Sequence, residues 1–68
     1  MKLSARNQLS GTVTRINEGA AIANVELEVN GQRLVASITV EAVRELGLEE
    51  GSEVTAIIKA SDVILATG

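Results

Sequence analysis

Hydrophobic and polar residues alternate most regularly in the stretch 22–29. Val25, Leu27 and Val29 share one face of an extended chain there, while Asn24, Glu26 and Glu28 share the other. This alternation predicts a half-buried β-strand. Asn30-Gly31 follows, and this dipeptide favours a two-residue hairpin turn because both central positions need a positive φ. Residues 32–38 are therefore predicted to be the return strand.

The remaining elements follow from weaker patterns. A β-branched stretch at 9–16 predicts a first strand, which a turn at 17–19 would end. After residue 38 the apolar spacing becomes helical: Thr39 can cap a helix over 40–46, and Gly47 can stop it. The apolar stripe of this helix would comprise Val40, Val43 and Leu46. Residues 53–59 and 62–66 are predicted to be the last two strands.

The predicted order of elements is β-β-β-α-β-β. Five short strands with one helix between the third and fourth match an OB-like barrel. We therefore predict an all-β fold with one short helix, a five-stranded antiparallel β-barrel. The pattern contains no linker or low-complexity segment, which predicts a single domain over residues 1–68.

The residue types that are absent restrict the chemistry. The chain has no Cys and no His, which excludes disulfides and disfavours a zinc site. It also lacks a thiolate nucleophile and an imidazole base, so we expect a binding protein and not an enzyme. A 68-residue domain buries only about 60% of its unfolded surface and is marginally stable alone. Small domains are usually stabilised by disulfides, a structural metal or partner subunits. Self-association is the route that remains for this chain, and its 46% hydrophobic content suits it.

Charge and aromatic content disfavour two kinds of partner. The formal net charge is −3, which argues against nucleic acid and against an anionic membrane surface. No aromatic residue is present on which a base could stack. No apolar run is long enough to cross a membrane, and Met1-Lys2-Leu3 leads directly into polar residues without the pattern of a signal peptide. These features predict a cytoplasmic protein.

Two segments combine a positive charge with hydroxyl groups and backbone donors: SARNQ at 4–8 and KASD at 59–62. A tetrahedral oxyanion is bound by such donors, namely a guanidinium, an ammonium, hydroxyls and N–H groups. The alternative is that Arg6 and Lys59 are solvated surface charges and that Ser61 only begins a strand.

A third candidate is the predicted helix start around Thr39, where unpaired N–H groups could face an anion. The alternative there is that Thr39 satisfies those donors itself as the N-cap. Glu41 also adds a negative charge to the first turn. The remaining charged residues considered, Arg15, Arg33, Arg44 and the Glu26/Glu28 pair, are predicted to lie on solvated faces.

The motif SARNQLSG at 4–11 closely resembles the opening motif of the molbindins, the Mop family within the TOBE domain group. VTAIIKASDV at 54–63 resembles the closing motif of the same family. The resemblance covers the whole chain, and the pairing of SARN with a distal KASDV is more specific than either motif alone.

This resemblance implies an OB-like barrel that assembles as a homohexamer, a trimer of dimers. Molybdate or tungstate would be the bound ligand, with no organic cofactor, no metal cation bound directly and no catalysis. By position, one subunit would contribute Ser4, Ala5, Arg6, Lys59, Ala60 and Ser61 to an anion at a subunit interface. Another subunit would contribute Thr39, Val40 and Ala42. Related domains can carry a Ser where this chain has Ala42, so one hydroxyl is absent here. The resemblance also implies a second class of anion site near a threefold axis, to which no residues are assigned.

The function implied by the resemblance is molybdate storage and homeostasis. A regulatory module that senses molybdate and acts through a partner protein is the first alternative, since the domain also occurs fused to transcription factors and transporter ATPases. Two further alternatives are an OB-type nucleic-acid binder, which the acidic charge disfavours, and a purely structural oligomerisation module.

Overall fold

The computed structural model describes residues 2–68, which form one antiparallel sheet and two short helical segments. The elements in chain order are β1 (Asn7–Glu18), β2 (Ile22–Val29), β3 (Gln32–Thr39), α1 (Val40–Glu45), β4 (Glu53–Ile58) and a 3-10 helix (Ala60–Asp62). The strands are ordered β3-β2-β1-β4 across the sheet, so the longest strand, β1, pairs with both β2 and β4.

The β2–β3 hairpin confirms the turn predicted from Asn30-Gly31. Both residues have positive φ, 50° at Asn30 and 81° at Gly31, and Val29 pairs with Gln32 directly across the turn. Gly31 is favoured there because it lacks the Cβ that makes positive φ costly. The full register of eight pairs between β2 and β3 leaves Thr39 opposite Ile22.

Gly11 lies where β1 passes close to β2. A Cβ atom at this position would lie 2.8 Å from Val29 Cγ2 and 3.0 Å from the carbonyl oxygen of Glu28. These distances are shorter than normal van der Waals contact, and one of the two neighbours is backbone. β1 can therefore approach β2 this closely because residue 11 has no side chain. The β1–β2 ladder also has a register irregularity, between Val13 and Arg15.

The core is formed by the inward face of β2, by Val13 of β1 and by the inner face of α1. The predicted face of β2 is confirmed: Val25 is 2% exposed and Leu27 4%. Alternate residues of β3 and β4 pack against this core but stay half-buried. β2 is therefore the most deeply buried strand, whereas β1 contributes Val13 alone as a buried residue and the edge strands β3 and β4 contribute half-buried residues.

The helix confirms its predicted cap and stop but not its full apolar stripe. Thr39 Oγ1 accepts the Ala42 N–H at 3.0 Å, and Gly47 has a φ of 63°, as a helix stop requires. Val40 and Val43 are buried, whereas the prediction for Leu46 is wrong because its side chain is 68% exposed. The helix ends at Glu45, so Leu46 lies beyond its last regular turn and away from the core.

The predicted fifth strand at 62–66 and the closed five-stranded barrel are wrong for the single chain. The structure has four strands in an open sheet, and residues 60–62 form a 3-10 helix instead. Residues 63–68 pair with no other strand among residues 2–68. An apolar, β-branched sequence favours extended backbone, but a strand forms only where another edge pairs with it.

Candidate functional site

The β1–β4 ladder brings the two basic motifs to the same end of the sheet. β1 and β4 are antiparallel, and their last Cα partners at this end are Asn7 and Ile58. Arg6 immediately precedes β1, and Lys59 immediately follows β4. Arg6 and Lys59 are far apart in the sequence but therefore lie next to each other at one end of the sheet.

The side chains at this end are exposed and offer several hydrogen-bond donors. Ser4, Arg6, Lys59 and Ser61 are all exposed, and Ala5 is half-buried. Within residues 2–68 neither Arg6 nor Lys59 has a carboxylate within 4.0 Å. We call residues 4–6 and 59–61 together the basic end of the sheet.

The 3-10 helix at the basic end adds backbone donors. Its two backbone hydrogen bonds run from Asp62 N–H to the Lys59 oxygen and from Val63 N–H to the Ala60 oxygen. The N–H groups of Ala60 and Ser61 donate to no backbone group in the described part of the chain. The basic end thus combines two cationic side chains, two hydroxyls and at least two free N–H groups.

Thr39 lies at the opposite end of β1 from the basic end. Thr39 pairs with Ile22, and Gly19, which follows the last residue of β1, donates its N–H to the Ile22 oxygen at 2.8 Å. The basic end lies beside the first residue of the 12-residue β1, and Thr39 lies near its last residue. The two halves of the predicted site are therefore not brought together within one chain.

The backbone donors near Thr39 are largely used within the chain. Val40 donates its N–H to the Ala21 oxygen at 2.9 Å, and Ala42 donates to Thr39 Oγ1. Thr39 Oγ1 accepts in that bond, so its own hydroxyl hydrogen can still be donated to another group. The Glu41 N–H also has no partner in the described structure.

The surface next to Thr39 has more negative than positive charge. A shallow depression there is lined by Thr39, Val40 and Glu41, and by Arg44 and Glu45 on the following turn of α1. Two carboxylates outnumber the single guanidinium. A dianion at this surface would need more positive charge than these residues supply.

Arg15 and Arg33 lie near the carboxylate of Glu26, whereas Arg6 and Lys59 have no such neighbour within residues 2–68. Arg33 Nε donates to Glu26 Oε1 at 2.7 Å, and Arg15 Nε lies 4.0 Å from Glu26 Oε2. The hydrogen bond from Arg33 lowers the pKa of the Glu26 carboxyl below its ordinary value. These two arginines therefore lie on an exposed face, as predicted, and both interact there with the Glu26 carboxylate.

One groove was not anticipated from the sequence. Hydroxyl-bearing residues of β1 and β4 line it together with Glu28 and Glu53, and the full set is Ser10, Gly11, Thr12, Glu28, Asn30, Glu53, Val54 and Thr55. The carboxylates make it unsuitable for an oxyanion. Its residues come from three strands and from the β2–β3 turn, and only the register of those strands brings them together.

The comparison with known protein families gives one clear match. The TOBE domain matches residues 3–65 of this chain. This chain belongs to the TOBE domain family. The predicted resemblance to the Mop proteins within this group is confirmed by a relative of nearly equal length. Molybdenum-pterin-binding protein 1 of Clostridium pasteurianum is 44% identical over 66 residues, which is 96% of this chain and 97% of the relative.

Solved structures of similar proteins share the fold of this TOBE domain. A molybdate binding protein from Sporomusa ovata superimposes with a TM-score of 0.95 at 39% identity, covering 98% of this chain and 100% of that one. The cytoplasmic molybdate-binding protein ModG, solved with molybdate bound, gives a TM-score of 0.85 at 46% identity over 88% of this chain and 43% of ModG. No helix among residues 2–68 is long and apolar enough to cross a membrane.

Proposed function

We propose that this TOBE domain binds molybdate or tungstate reversibly and serves intracellular molybdenum storage and homeostasis. It acts as a single domain in the cytoplasm, in a non-catalytic role. The observation that carries the proposal is the adjacency of Arg6 and Lys59 at the end of the β1–β4 ladder. The names of the relatives support the ligand, since the Sporomusa ovata protein is a molybdate binding protein and ModG was solved with molybdate.

The donor set of the basic end suits a tetrahedral dianion. Arg6 and Lys59 supply positive charge, Ser4 and Ser61 supply hydroxyls, and backbone N–H groups at Ala5 and Ala60 complete the set. Each hydrogen bond between a donor and a charged group contributes about 1.5–3 kcal/mol. The basic end can therefore hold one face of an oxyanion without a metal cation or an organic cofactor.

The opposite face of the anion is contacted by a second subunit. Thr39 lies at the other end of β1, so Thr39 and Lys59 of the same chain do not reach one anion. An anion bound beside Thr39 would also meet the carboxylates of Glu41 and Glu45. The basic end of another copy would supply the positive charge that offsets them. We therefore assign the site to an interface between copies of this chain, and the resemblance to the Mop proteins implies that these copies form a homohexamer, a trimer of dimers.

The second subunit has fewer free hydrogen-bond donors for the anion than the family pattern implies. The N–H groups of Val40 and Ala42 are engaged within the chain, and Ala42 has no hydroxyl. The Thr39 hydroxyl and the Glu41 N–H are the donors that remain at this segment.

The proposed storage function needs no further step, because binding and release follow the concentration of the free anion by mass action.

Isothermal titration of the oligomer with molybdate, tungstate and sulfate tests this function. We expect saturable heat with molybdate or tungstate. Sulfate has the same charge and shape and is smaller, so it should bind more weakly if the size of the pocket selects the ligand. Absence of heat with all three anions would overturn the proposed function.

A further inference from the structure

The β2–β3 turn contains a dipeptide with a reactivity that the anion site does not use. The chain has four asparagines, and only Asn30 is followed by glycine. The side-chain amide of an asparagine can be attacked by the backbone nitrogen of the next residue, and this attack is least hindered when that residue is glycine. A Cβ atom at Gly31 would meet no heavy atom within 4 Å apart from its chain neighbours, so the surrounding fold does not obstruct it either.

The two reacting groups differ in how firmly the fold holds them. Asn30 is exposed, and its side chain makes no hydrogen bond among residues 2–68. The Gly31 N–H, in contrast, donates to Glu28 Oε1 at 3.0 Å. The electrophilic side chain is therefore free, whereas the attacking nitrogen is held by a carboxylate on the preceding strand.

The conformation of the turn keeps these groups apart. The φ angles of 50° at Asn30 and 81° at Gly31 fit a type I′ turn, in which ψ of the first central residue is about 30°. At this ψ the Gly31 nitrogen lies on the far side of the Cα–C bond from the Asn30 Cβ. Closing a succinimide ring needs both on the same side. The Asn30 Cα–C bond must therefore rotate, and this rotation takes the Gly31 N–H away from Glu28.

We propose that Asn30 is a site of spontaneous deamidation and that the hydrogen bond from Gly31 to Glu28 slows the reaction. The Gly31 nitrogen forms a bond to Asn30 Cγ and gives up its proton, and the Cγ–Nδ2 bond breaks so that the amide leaves as ammonia. Water then opens the succinimide. Opening at Cγ leaves an aspartate at position 30, and opening at the backbone carbonyl leaves an isoaspartate. Water is the only other reactant.

The two products have different effects on the hairpin. Aspartate before glycine also favours this turn, so that product should keep Val29 paired with Gln32. Isoaspartate runs the backbone through its side chain and adds a methylene to the turn, which then no longer matches a two-residue connection. Both products add a negative charge to the groove lined by Glu28 and Glu53. The isoaspartyl form should therefore be the less stable of the two.

Peptide mapping of the full-length protein locates the reaction. The protein is incubated at neutral pH without molybdate and then digested with trypsin, which releases residues 16–33 as one peptide that contains Asn17, Asn24 and Asn30. We expect fragment ions to show conversion of amide to acid at Asn30, with the Asn30→Asp variant as the standard for one product. No conversion at Asn30, or equal conversion at Asn17 or Asn24, would overturn the proposal.

Variants of Glu28 test how the reaction is controlled. Glu28→Ala should deamidate about two- to tenfold faster than the wild type, because the Gly31 N–H loses its acceptor. Glu28→Gln keeps an oxygen acceptor and should stay closer to the wild-type rate. Glu53→Ala is the matched control, since Glu53 lines the same groove but accepts no hydrogen bond from Gly31.

The direction of the change distinguishes two roles of the Glu28 carboxylate. A carboxylate that took the proton from the Gly31 nitrogen would speed the reaction, so both Glu28 variants would then be slower than the wild type. That result, or a Glu28→Ala rate equal to that of Glu53→Ala, would overturn the restraining role of Glu28.

Discussion

Asn7 and Ile58 are the final Cα partners of the antiparallel β1–β4 ladder. Arg6, which precedes β1, and Lys59, which follows β4, therefore lie at the same end of the sheet. This relationship converts two separate sequence motifs into one cluster of donors. Thr39 lies at the other end of β1, opposite Ile22. The proposed interface site follows from these two registers, because a single chain presents the two halves of the site in different places.

Saturating molybdate is expected to raise the melting temperature of the protein. The ligand binds the native state, and at a hundredfold excess over Kd this contributes about 2.7 kcal/mol per site. Thermal denaturation with and without molybdate measures the effect. The variant Arg6→Ala/Lys59→Ala is the control and should show little shift. A melting curve of the wild type that molybdate leaves unchanged would mean that no specific site exists.

Thr39→Ala is expected to lower the free energy of unfolding by about 1 kcal/mol, because the Ala42 N–H loses its acceptor. Thr39→Ser keeps the hydroxyl and should retain most of the stability. Urea denaturation measures both. If the Thr39 hydroxyl also donates to the anion, Thr39→Ala weakens molybdate binding while Thr39→Ser does not. Equal affinities for the two variants would remove Thr39 from the site.

Leu27→Ala is expected to destabilise the protein by about 2–5 kcal/mol, since it leaves a cavity beside β2 in a nearly fully buried position. Leu46→Ala removes the same atoms from an exposed position and should change stability by less than about 0.5 kcal/mol. Urea midpoints of the two variants give the comparison. Similar losses would mean that Leu46 is packed in the native protein.

The ion pair of Glu26 predicts a dependence of stability on pH. Arg33 lowers the pKa of the Glu26 carboxyl in the folded state, so folding favours the ionised form. This contribution is present above the ordinary carboxyl pKa of 4.5 and is lost as the pH falls below it. Glu26→Gln should therefore destabilise the protein slightly at pH 7 and less at pH 3. A difference between wild type and variant that grows on acidification would contradict this assignment.

Local patterns predicted much of this fold. The alternation at 22–29 matches the bounds of β2, Asn30-Gly31 forms the predicted turn, and Thr39 caps α1 as expected. These features depend on residues close in sequence, so their physical causes are visible in the sequence itself. The predicted first strand was too short, because β1 extends from Asn7 to Glu18 and only its pairing with β2 and β4 determines those limits.

Features that depend on distant partners were less predictable. Residues 62–66 have a strand-like sequence but pair with no strand among residues 2–68, which periodicity cannot reveal. Leu46 continues the helical spacing but lies beyond the last turn of α1. The placement of Arg6 beside Lys59 depends on the β1–β4 register, and spacing along the chain does not determine that register.

The affinity of Arg6 and Lys59 variants for molybdate tests the central claim most directly. Arg6→Ala and Lys59→Ala should each weaken binding about ten- to a hundredfold in isothermal titration, because each removes a charged donor to a dianion. Both variants should keep the mass of the wild-type oligomer. Arg33→Ala is the control, since Arg33 is exposed and already donates to Glu26 at 2.7 Å. An Arg33→Ala variant that loses as much affinity as Lys59→Ala would mean that binding is diffuse electrostatic attraction and would contradict the site.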